Sequence, residues 1–470
     1  MSHLTTPVEN GILKDKKNLH LVGIGGSGMF PIVQILHGKG YHITGSDNNE
    51  SDILKLERAM GIPVFLGHKP ENAAGADLVV YSAAIFKDNC ELVYAAEHHI
   101  PTAERSVMLG AISDAYDNAI CISGTHGKTT TTSLLTSILL DCGRDPSAVI
   151  GGKLPKIGGY GRVGQEDLFV CEACEFVDTF LHLSPDIAVV LNIDDDHLDY
   201  FKTMDNLKRS FHKFAASASR YVICNGDDPN TQEAMEGIGK PIITFGLGEN
   251  NDYRAVDISL HDGVNCQYTL IYQGAEQGRI TLSVPGEHNV LNSLAAIAAA
   301  HAVGVDFDKI AACIGEFHGA GRRFEILDKV DGVTFADDYA HHPTELRATL
   351  ETAQKMSFKR VWAVFQPFTY SRTAMLLEDF AQVLAIADRT VLSEIMGSRE
   401  VNTYHIYSKD LAEKIPGCVW FSTFEEIADY MVGEIRPGDL VITLGCGDVY
   451  KCARMMIAKA KEKAAGHNHL

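Results

Sequence analysis

Residues 119–140 read AICISGTHGKTTTTSLLTSILL. An apolar β-type run leads into a glycine-rich loop, and a helix-forming segment follows. The backbone of such a loop can cradle phosphates, Lys128 can neutralise their charge, and the Thr129 hydroxyl can reach Mg²⁺. The general pattern of phosphate loops asks for glycine at position 122, where this chain has Ile122. The alternative, a loop that only turns a strand into a helix, therefore stays open.

Similar strand and helix signals alternate on both sides of this stretch. Apolar β-type runs include NLHLVGI at 18–24, DLVVYSA at 77–83, IAVVLNI at 187–193 and DLVITLG at 439–445. This alternation predicts an α/β fold of parallel sheets covered by helices. Residues 252–284 are the exception, because three β-type runs follow one another there without a helix. They predict a small antiparallel meander attached to the middle sheet.

Two turn-rich breaks divide the chain. DAYDN at 114–118 and HGAGRR at 318–323 separate regions of typical domain size. We therefore expect three domains, at residues 1–115, 116–321 and 322–470.

Composition narrows the class of function. The 61 acidic and 41 basic residues give a net charge of −20, which argues against nucleic-acid binding. We expect no membrane span and no export signal, and the 11 cysteines fit reduced thiols in the cytoplasm. Cys171 and Cys174 form one Cys-x-x-Cys pattern without a second ligand pair, so we interpret both as structural thiols.

A second glycine-rich loop follows the first predicted strand. Gly23, Gly25 and Gly28 precede a helix expected to begin near Ser27, and Asp47 ends the next strand. This pattern suits a diphosphate beside a sugar, as in NAD or in a UDP-sugar. Glycines that serve only helix–strand packing are the alternative without a ligand.

Polar residues follow the next two strands of the middle region. Glu172 ends LFVCE, and Asn192 precedes the run DDDHLD at 194–199. Carboxylates and an imidazole beside a phosphate loop suit a divalent cation. Taken separately, Glu172 fits a buried ion pair equally well, and the acidic run fits a solvated loop.

Three further groups lie towards the C-terminus. Asn289 and Asn292 share one helix face, where two amides could contact a purine. Arg322 and Arg323 fall at the second domain boundary, where a cation reaches phosphates when domains close. The motif DDYAHHP at 337–343 ends the first strand of the third domain.

Together these motifs resemble the Mur ligases over essentially the full chain. The matching strings include HLVGIGGSGM, SGTHGKTTT, VCEACE, NIDDDHLDYF, GEHNVLNSLAA, GAGRRFE and DDYAHHPTEL. Within the family, the string GIGGSGM resembles the corresponding segment of the alanine-adding branch.

The resemblance implies a fold and a reaction. The fold has a Rossmann-like UDP-binding domain, a central P-loop ATPase-type domain and a C-terminal Rossmann-like domain. In the implied reaction, ATP with Mg²⁺ phosphorylates the lactyl carboxylate of UDP-N-acetylmuramate, and the amine of L-alanine attacks the acyl phosphate. The implied partners are these small molecules, with no nucleic acid or membrane, for a monomer or weak homodimer.

The resemblance also implies roles for individual residues. ATP is held by Gly124, Thr125, His126, Gly127, Lys128, Thr129, Thr130, Asn289, Asn292, Arg323 and Asp338. The UDP moiety is held by Gly25, Gly26, Ser27, Gly28, Asp47, His68 and Ser82. The metal ligands are Thr129, Glu172 and His197, and the catalytic set is Lys128, Glu172, His197, Arg323 and His341.

The chain departs from the family pattern on the substrate side. Phe368 stands where histidine is usual, Val107 where an acid is usual, and Phe176, Val177 and Asp178 where residues are often small and polar or basic. Acceptor selectivity is therefore open, and a murein tripeptide ligase is the alternative enzyme. A non-catalytic nucleotide-binding homologue is the alternative of another class. A nicotinamide-dependent dehydrogenase would explain only the first 50 residues.

Overall fold

A computed structural model describes residues 11–261, 265–398 and 400–467. Part of the N-terminal stretch in which we expect no export signal, residues 1–10, lies outside the described residues. The chain forms two compact units. The first runs to residue 258 and includes 268–280 and 290–317, and the second comprises 259–267, 281–289 and 318–470.

The first sheet has five parallel strands in the order β3-β2-β1-β4-β5. The strands are β1 (Asn18–Val22), β2 (His42–Asp47), β3 (Val64–Leu66), β4 (Leu78–Tyr81) and β5 (Thr102–Glu104), and the helices are α1 (Phe30–Gly38), α2 (Asp52–Ala59), α3 (Cys90–Glu97) and α4 (Arg105–Ser113). From β1 the chain continues to β2 and β3 on one side of β1 and then to β4 and β5 on the other side. The loop after β1 therefore lies at the point where the strand order reverses, which is where such sheets bind ligands.

The start of α1 differs from the prediction. The helix begins at Phe30 and not near Ser27, because residues 23–29 form hydrogen-bonded turns such as Gly26 N to Gly23 O and Met29 N to Gly26 O. Pro31, in the first turn of α1, suits a helix start since proline lacks the N–H that would be unpaired there.

The second sheet has ten strands in the order β15-β14-β13-β12-β11-β10-β6-β9-β7-β8. Its strands are β6 (Ala119–Ser123), β7 (Ser147–Leu154), β8 (Gly159–Arg162), β9 (Phe169–Glu172), β10 (Ile187–Val190), β11 (Tyr221–Asn225), β12 (Ile242–Gly246), β13 (Tyr253–Leu260), β14 (Asn265–Tyr272) and β15 (Ala275–Pro285). Its helices are α5 (Lys128–Asp141), α6 (Leu198–Phe201), α7 (Met204–Ala216), α8 (Pro229–Met235), α9 (His288–Ala302) and α10 (Phe307–Cys313).

Pairing in this sheet is mixed. The central pairs are parallel, including β6 with β9 and with β10, whereas β7 and β8 are antiparallel. The predicted meander corresponds to β13, β14 and β15, which continue the large sheet because β13 pairs in parallel with β12. Only two residues connect β14 to β15, and such a connection joins antiparallel strands.

The third sheet has six strands in the order β16-β17-β21-β18-β19-β20. These are β16 (Glu325–Val330), β17 (Val333–Asp338), β18 (Arg360–Phe365), β19 (Arg389–Leu392), β20 (Val419–Trp420) and β21 (Asp439–Leu444). The helices are α11 (Pro343–Lys355), α12 (Tyr370–Met375), α13 (Leu377–Leu384), α14 (Ser408–Ala412), α15 (Phe424–Glu434) and α16 (Tyr450–His467). Only β16 runs antiparallel to its neighbour.

Both faces of the third sheet are covered. In β18, Val361 and Phe365 join one buried cluster, whereas Trp362 and Val364 join another. Successive side chains of a strand point to opposite faces, so this division means that apolar layers pack on both sides. The three sheets confirm the predicted α/β class.

The predicted boundaries fall between the sheets. Residues 115 and 116 lie between α4 and β6, and residues 321 and 322 precede β16. Their exact positions stay predictions. Among the described residues, no helix is both long enough and apolar enough to cross a bilayer.

Candidate active site

The glycine-rich loop at 124–127 connects β6 to α5. β6 lies between β9 and β10, so Glu172 and the segment that starts at Asn192 follow the two neighbouring strands. Parallel strands present their carboxyl ends at one sheet edge, which therefore gathers the loop and both acidic segments. Ile122 lies within β6, so the glycine-rich loop begins only after the position at which the general pattern of phosphate loops asks for glycine.

Lys128 is the first residue of α5. Its Nζ donates to the backbone oxygens of Gly124 (2.5 Å) and Thr125 (3.1 Å) and to both carboxylate oxygens of Glu175 (2.9 and 3.1 Å). Glu175 is 2% exposed. Burial lowers the pKa of Lys128, but the neighbouring acidic groups, led by Glu175 and including Cys174 and Glu172, together outweigh that effect, and the pKa is raised above its ordinary value. The ammonium group is therefore charged and held against the loop.

Asn192 and Asp194 fix the shape of the loop. Asn192 Oδ1 accepts from the backbone N–H of His126 (2.8 Å), and Asn192 Nδ2 donates to the His126 backbone oxygen (3.1 Å). The Asp194 backbone N–H donates to Thr125 Oγ1 (2.9 Å), and the Asp194 carboxylate lies 3.1 Å from His126 Nε2. The loop is thus pinned to the segment that follows β10.

Gly127 brings the loop against α9. Its φ is +87°, and a Cβ at this position would lie 2.4 Å from Asn292 Oδ1. Only glycine allows both the left-handed backbone and this close approach. One of the two predicted purine-contacting amides, that of Asn292, therefore lies beside the glycine-rich loop. Asn289, also on α9, is buried, and its Nδ2 donates to the Pro285 backbone oxygen at 2.7 Å.

Glu172 and Thr129, two of the predicted metal ligands, contact each other. Thr129 Oγ1 lies 3.2 Å from Glu172 Oε2, and the Gly151 backbone N–H donates to Glu172 Oε1 at 2.6 Å. A Cβ on Gly151 would lie 2.6 Å from the carboxylate, so a larger residue there would displace the Glu172 side chain from its present position. An alcohol and a carboxylate oxygen are the hard donors that Mg²⁺ prefers, so this pair fits the predicted ion.

His197 lies beside the same acidic groups. Its Nε2 is 3.6 Å from Asp196 Oδ2 and 3.9 Å from Glu175 Oε1, the oxygen that also contacts Lys128. The backbone of His197 is in the left-handed conformation (φ +57°) directly before α6. The Phe176 ring packs against the His197 imidazole. Glu175 therefore links the predicted phosphate-binding lysine to the predicted metal-binding histidine.

The loop after β1 carries most of the predicted UDP residues. The Gly25 backbone N–H donates to Asp47 Oδ2 (3.1 Å), whereas Gly26, Ser27 and Gly28 are exposed. The guanidinium of Arg105 lies 3.6 Å from the point that a Cβ on Gly28 would occupy. Arg105 thus supplies a cation beside the exposed turn. Ser82, after β4, accepts from the Ala84 backbone N–H at 3.2 Å, and its Oγ faces Gly23.

A buried carboxylate holds His68. Glu91 is 0% exposed and accepts from Ser46 Oγ (2.6 Å) and Asn72 Nδ2 (2.6 Å), and His68 Nδ1 lies 3.3 Å away. Burial raises the pKa of Glu91, but hydrogen bonds from His20, Ser46 and Asn72 outweigh it and hold the pKa at about 2. Glu91 is therefore an ionised acceptor that orients the imidazole of His68.

The second unit contains Arg323, Asp338 and His341. Asp338 accepts from the backbone N–H groups of Phe324 (2.8 Å) and Ala340 (2.7 Å), and burial raises its pKa to about 6 against the opposing charge of Arg323. The Arg323 guanidinium stacks on Tyr339. His341 Nδ1 lies 3.1 Å from the Tyr339 backbone oxygen and 3.2 Å from Glu345 Oε2.

Arg322 differs from its neighbour Arg323. Its guanidinium donates to Asp337 (2.8 Å) and to the backbone oxygens of Gly445 (2.6 Å) and Gly447 (3.1 Å). Three such bonds hold Arg322 to the third sheet, which makes it a structural residue.

Cys171 and Cys174, which form the Cys-x-x-Cys pattern, are both free thiols in this structure. Cys171 is buried in β9, and its Sγ lies 3.5 Å from that of Cys121 on the adjacent strand. Burial raises the pKa of both Cys171 and Cys174. All 11 cysteines are free. A fully buried thiol with a raised pKa is unreactive, which is consistent with the structural role predicted for Cys171.

Three sequence models match the chain. They describe the Mur ligase family catalytic domain at residues 18–117, the Mur ligase middle domain at 122–300, and the Mur ligase glutamate ligase domain at 322–447. The UDP-N-acetylmuramate–L-alanine ligase of Caldanaerobacter subterraneus subsp. tengcongensis is 42% identical over 96% of this chain and 99% of its own. The corresponding ligase of Alkaliphilus metalliredigens is 42% identical over 94% and 97%.

The chain belongs to the Mur ligase family.

Solved structures of Mur ligases agree with this assignment. The UDP-N-acetylmuramate–alanine ligase of Thermotoga maritima has a TM-score of 0.82 at 25% identity and covers 95% of this chain and 99% of its own. A murein peptide ligase of Psychrobacter arcticus has a TM-score of 0.75 with the same identity and coverage. The three-domain α/β architecture expected of a Mur ligase is confirmed.

Three charged residues of this Mur ligase contact predicted site residues but carry no recognisable sequence motif of their own. Glu175 contacts Lys128, Glu91 contacts His68, and Arg105 lies beside Gly28. Glu175 belongs to the string VCEACE, so the sequence already indicates that it lies near the site. The sequence does not indicate its role, because Lys128 lies 47 residues away in sequence.

Proposed function

We propose that this Mur ligase joins L-alanine to the lactyl carboxylate of UDP-N-acetylmuramate, with ATP converted to ADP and phosphate, in peptidoglycan precursor synthesis. The main support is the loop in which Lys128 and Thr129 lie against Glu175 and Glu172, in a chain similar over its length to alanine-adding relatives. A carboxylate is a poor acyl donor, and phosphorylation gives it a good leaving group.

The chemistry has two balanced steps. A carboxylate oxygen attacks the γ-phosphorus of ATP, and ADP leaves. The alanine amine then attacks the carbonyl carbon of the acyl phosphate, phosphate leaves, and the amine loses a proton. Both steps require negative charge to be neutralised where it develops.

Residues of the first unit supply that charge control. Lys128 neutralises the transferring phosphate and exchanges part of its contact with Glu175 for phosphate oxygens. Thr129, Glu172 and His197 would hold Mg²⁺, which when bound draws charge from the phosphate oxygens. Gly124, Thr125, His126, Gly127 and Thr130 provide the loop backbone and first helical turn around the phosphates, and Asn292 supplies an amide to the adenine.

The UDP moiety binds at the loop after β1. The exposed backbone of Gly26, Ser27 and Gly28 faces the diphosphate, and Arg105 adds a positive charge there. Gly25, Asp47, His68 and Ser82 complete the subsite. Asn289 joins Asn292 at the adenine. Arg323 contacts the γ-phosphate of ATP, and Asp338 contacts the nucleotide. His341 lies in the part of the active site that receives the amino acid.

The partners that we propose are small molecules, bound by a monomer or weak homodimer without nucleic acid or membrane. The net charge of −20 disfavours binding to nucleic acid. We place the enzyme in the cytoplasm because it consumes ATP and carries free thiols.

ADP release by the purified protein tests this function. ATP, Mg²⁺ and UDP-N-acetylmuramate are supplied with L-alanine, glycine, L-serine or a murein tripeptide in separate reactions. We expect release to require UDP-N-acetylmuramate and to be fastest with L-alanine. A preference for the tripeptide would assign the chain to murein peptide ligation, and no release in any reaction would favour a nucleotide-binding homologue without catalysis.

A substitution tests the metal site. Glu172→Gln keeps the side-chain size but removes the negative charge that attracts the cation, so we expect half-maximal activity to need more Mg²⁺. A Mg²⁺ titration of ADP release measures the change, with Glu233→Gln on α8 as the exposed control. If the Glu172→Gln titration superimposed on that of the unmodified enzyme, Glu172 would be a structural residue.

A further inference from the structure

Two apolar side chains are exposed beside the charged groups of the active site. Phe176 and Val177 directly follow Glu175, and 42% and 45% of their surfaces are accessible. Large apolar side chains gain free energy when buried, so exposure of both at adjacent positions brings no gain in folding. Their exposed apolar surface is therefore available to contact a bound ligand.

The backbone is strained where it presents these side chains. Val177 has φ +54° and ψ +33°, and Asp178 has φ +58° and ψ +21°. The left-handed region is unfavourable for a β-branched residue such as valine. Strain of this kind persists only where surrounding contacts enforce it, and it concentrates at functional sites.

Several hydrogen bonds enforce this conformation. The Asp178 carboxylate accepts from Tyr200 Oη (2.8 Å) and from Ser210 Oγ. The Asp178 backbone N–H donates to the backbone oxygen of Glu175 (3.0 Å). Thr179 Oγ1 donates to the Cys174 backbone oxygen at 2.8 Å. Asp178 thus anchors the turn to α6 and α7, while Phe176 and Val177 stay on its exposed side.

The position of Phe176 relates the turn to the chemistry. The centroid of its ring lies 4.7 Å from that of the His197 imidazole. Its chain neighbour Glu175 contacts Lys128 Nζ at 2.9 Å. Phe176 therefore borders the space between the residues that we assign to the metal and to the phosphate.

We propose that Phe176 and Val177 form an apolar wall, which packs against the lactyl methyl group and keeps water from the acyl phosphate. This role rests on the proposed ligase function. Without the wall, water attacks the carbonyl carbon, a C–O bond forms to the water oxygen and the C–O bond to phosphate breaks. Carboxylate, inorganic phosphate and a proton result, so that ATP is consumed without ligation. Excluding water from a reactive intermediate is a general task of closed active sites.

The test compares phosphate release with amide formation. Phe176→Ser and Val177→Ser each remove apolar surface, and Leu181→Ser is the matched control, since Leu181 is 36% exposed in the same short helical segment (Phe176–His182). The unmodified enzyme is expected to release one phosphate for each amide bond. We expect this ratio to rise several-fold in the two wall variants and to stay unchanged in Leu181→Ser.

A second measurement identifies the source of the extra phosphate. Without L-alanine, phosphate release by Phe176→Ser should exceed that of the unmodified enzyme several-fold and should depend on UDP-N-acetylmuramate. Phe176→Leu, which restores apolar bulk, should restore the ratio even if Phe176→Ser folds poorly. The proposed wall would be contradicted if the ratio of phosphate to amide stayed unchanged in both Phe176→Ser and Val177→Ser. It would also be contradicted if this ratio rose equally in Leu181→Ser. If the unmodified enzyme, supplied with L-alanine, released no phosphate that depends on UDP-N-acetylmuramate, the ligase function itself would fail instead.

Discussion

At the residue scale, Glu91 shows how one buried charge can shape a binding site. Its carboxylate lies among Ser46, His68 and Asn72, and it is fully buried on α3. We expect Glu91→Gln to raise the KM for UDP-N-acetylmuramate without changing the KM for ATP, because His68 loses its ionic partner. Initial-rate kinetics measure both constants, with Glu97→Gln, exposed on the same helix, as control. Equal changes in the two KM values would indicate a general structural role.

The same variant has a pH signature. The pKa of Glu91 is lowered from 4.5 to about 2, so the ionised carboxylate stabilises the fold above pH 4.5, and this stabilisation is lost as the pH falls towards 2. A shift of this size corresponds to about 3 kcal/mol. The free energy of unfolding, measured with denaturant from pH 3 to 7, should fall less steeply with acid in Glu91→Gln. Parallel curves for variant and unmodified protein would contradict the assignment.

The sequence predicts some residue positions better than others. Lys128, Thr129 and Glu172 each adjoin a recognisable strand, and parallel strands carry them to one edge of the sheet. Glu91 gave no comparable signal, because its contact with Ser46 spans 45 residues and its burial depends on tertiary packing. Pairs of this kind are decided by the fold, and a local pattern does not reveal them.

At the element scale, the glycine-rich loop at 124–127 approaches α9 closely at Gly127. Gly127→Ala would add strain at φ +87° and place a methyl group 2.4 Å from Asn292 Oδ1. We expect a loss of about 1–3 kcal/mol in unfolding free energy and a marked loss of ATP affinity. Denaturant unfolding and calorimetric titration with ATP measure these effects.

Gly143→Ala is the matched control for that substitution. Gly143 follows the other end of α5, has φ +80°, and has no other group within 4 Å of an added Cβ. It should therefore show the strain cost with normal ATP affinity. Equal loss of ATP affinity in both variants would mean that the approach of the loop to Asn292 does not matter for the nucleotide.

The elements themselves were predictable to different degrees. The strand and helix of residues 119–140 appear almost as expected, at Ala119–Ser123 and Lys128–Asp141. Burial of the threonines in α5 could not be foreseen from polarity. Thr132 and Thr136 satisfy their hydroxyls by donating to the carbonyl oxygens four residues earlier, which allows a polar-looking helix to pack inside. The predicted start of α1 near Ser27 was wrong, because hydrogen-bonded turns occupy residues 23–29 and the helix begins at Phe30.

At the scale of the whole molecule, the two nucleotides should bind independently. The UDP residues follow strands of the first sheet, whereas Lys128 follows β6 of the second. We expect Lys128→Ala to reduce turnover by about 10²–10³-fold or more, since it removes the cation that stabilises the transferring phosphate. Binding of UDP-N-acetylmuramate should stay within error of the unmodified enzyme, because no residue of its subsite changes.

Calorimetric titration with each nucleotide separately tests this division. Lys213→Ala, at an exposed position on α7, controls for the loss of one positive charge from a protein of net charge −20. Since Lys128 also neutralises the buried Glu175, a thermal unfolding curve must accompany the titrations, because an unpaired buried carboxylate destabilises the fold. Lys128→Gln, which retains donors for Glu175, separates the two effects: it should lose turnover equally while unfolding at a higher temperature than Lys128→Ala. If a folded Lys128 variant lost affinity for both nucleotides alike, the assignment of UDP and ATP to different sheets would be wrong.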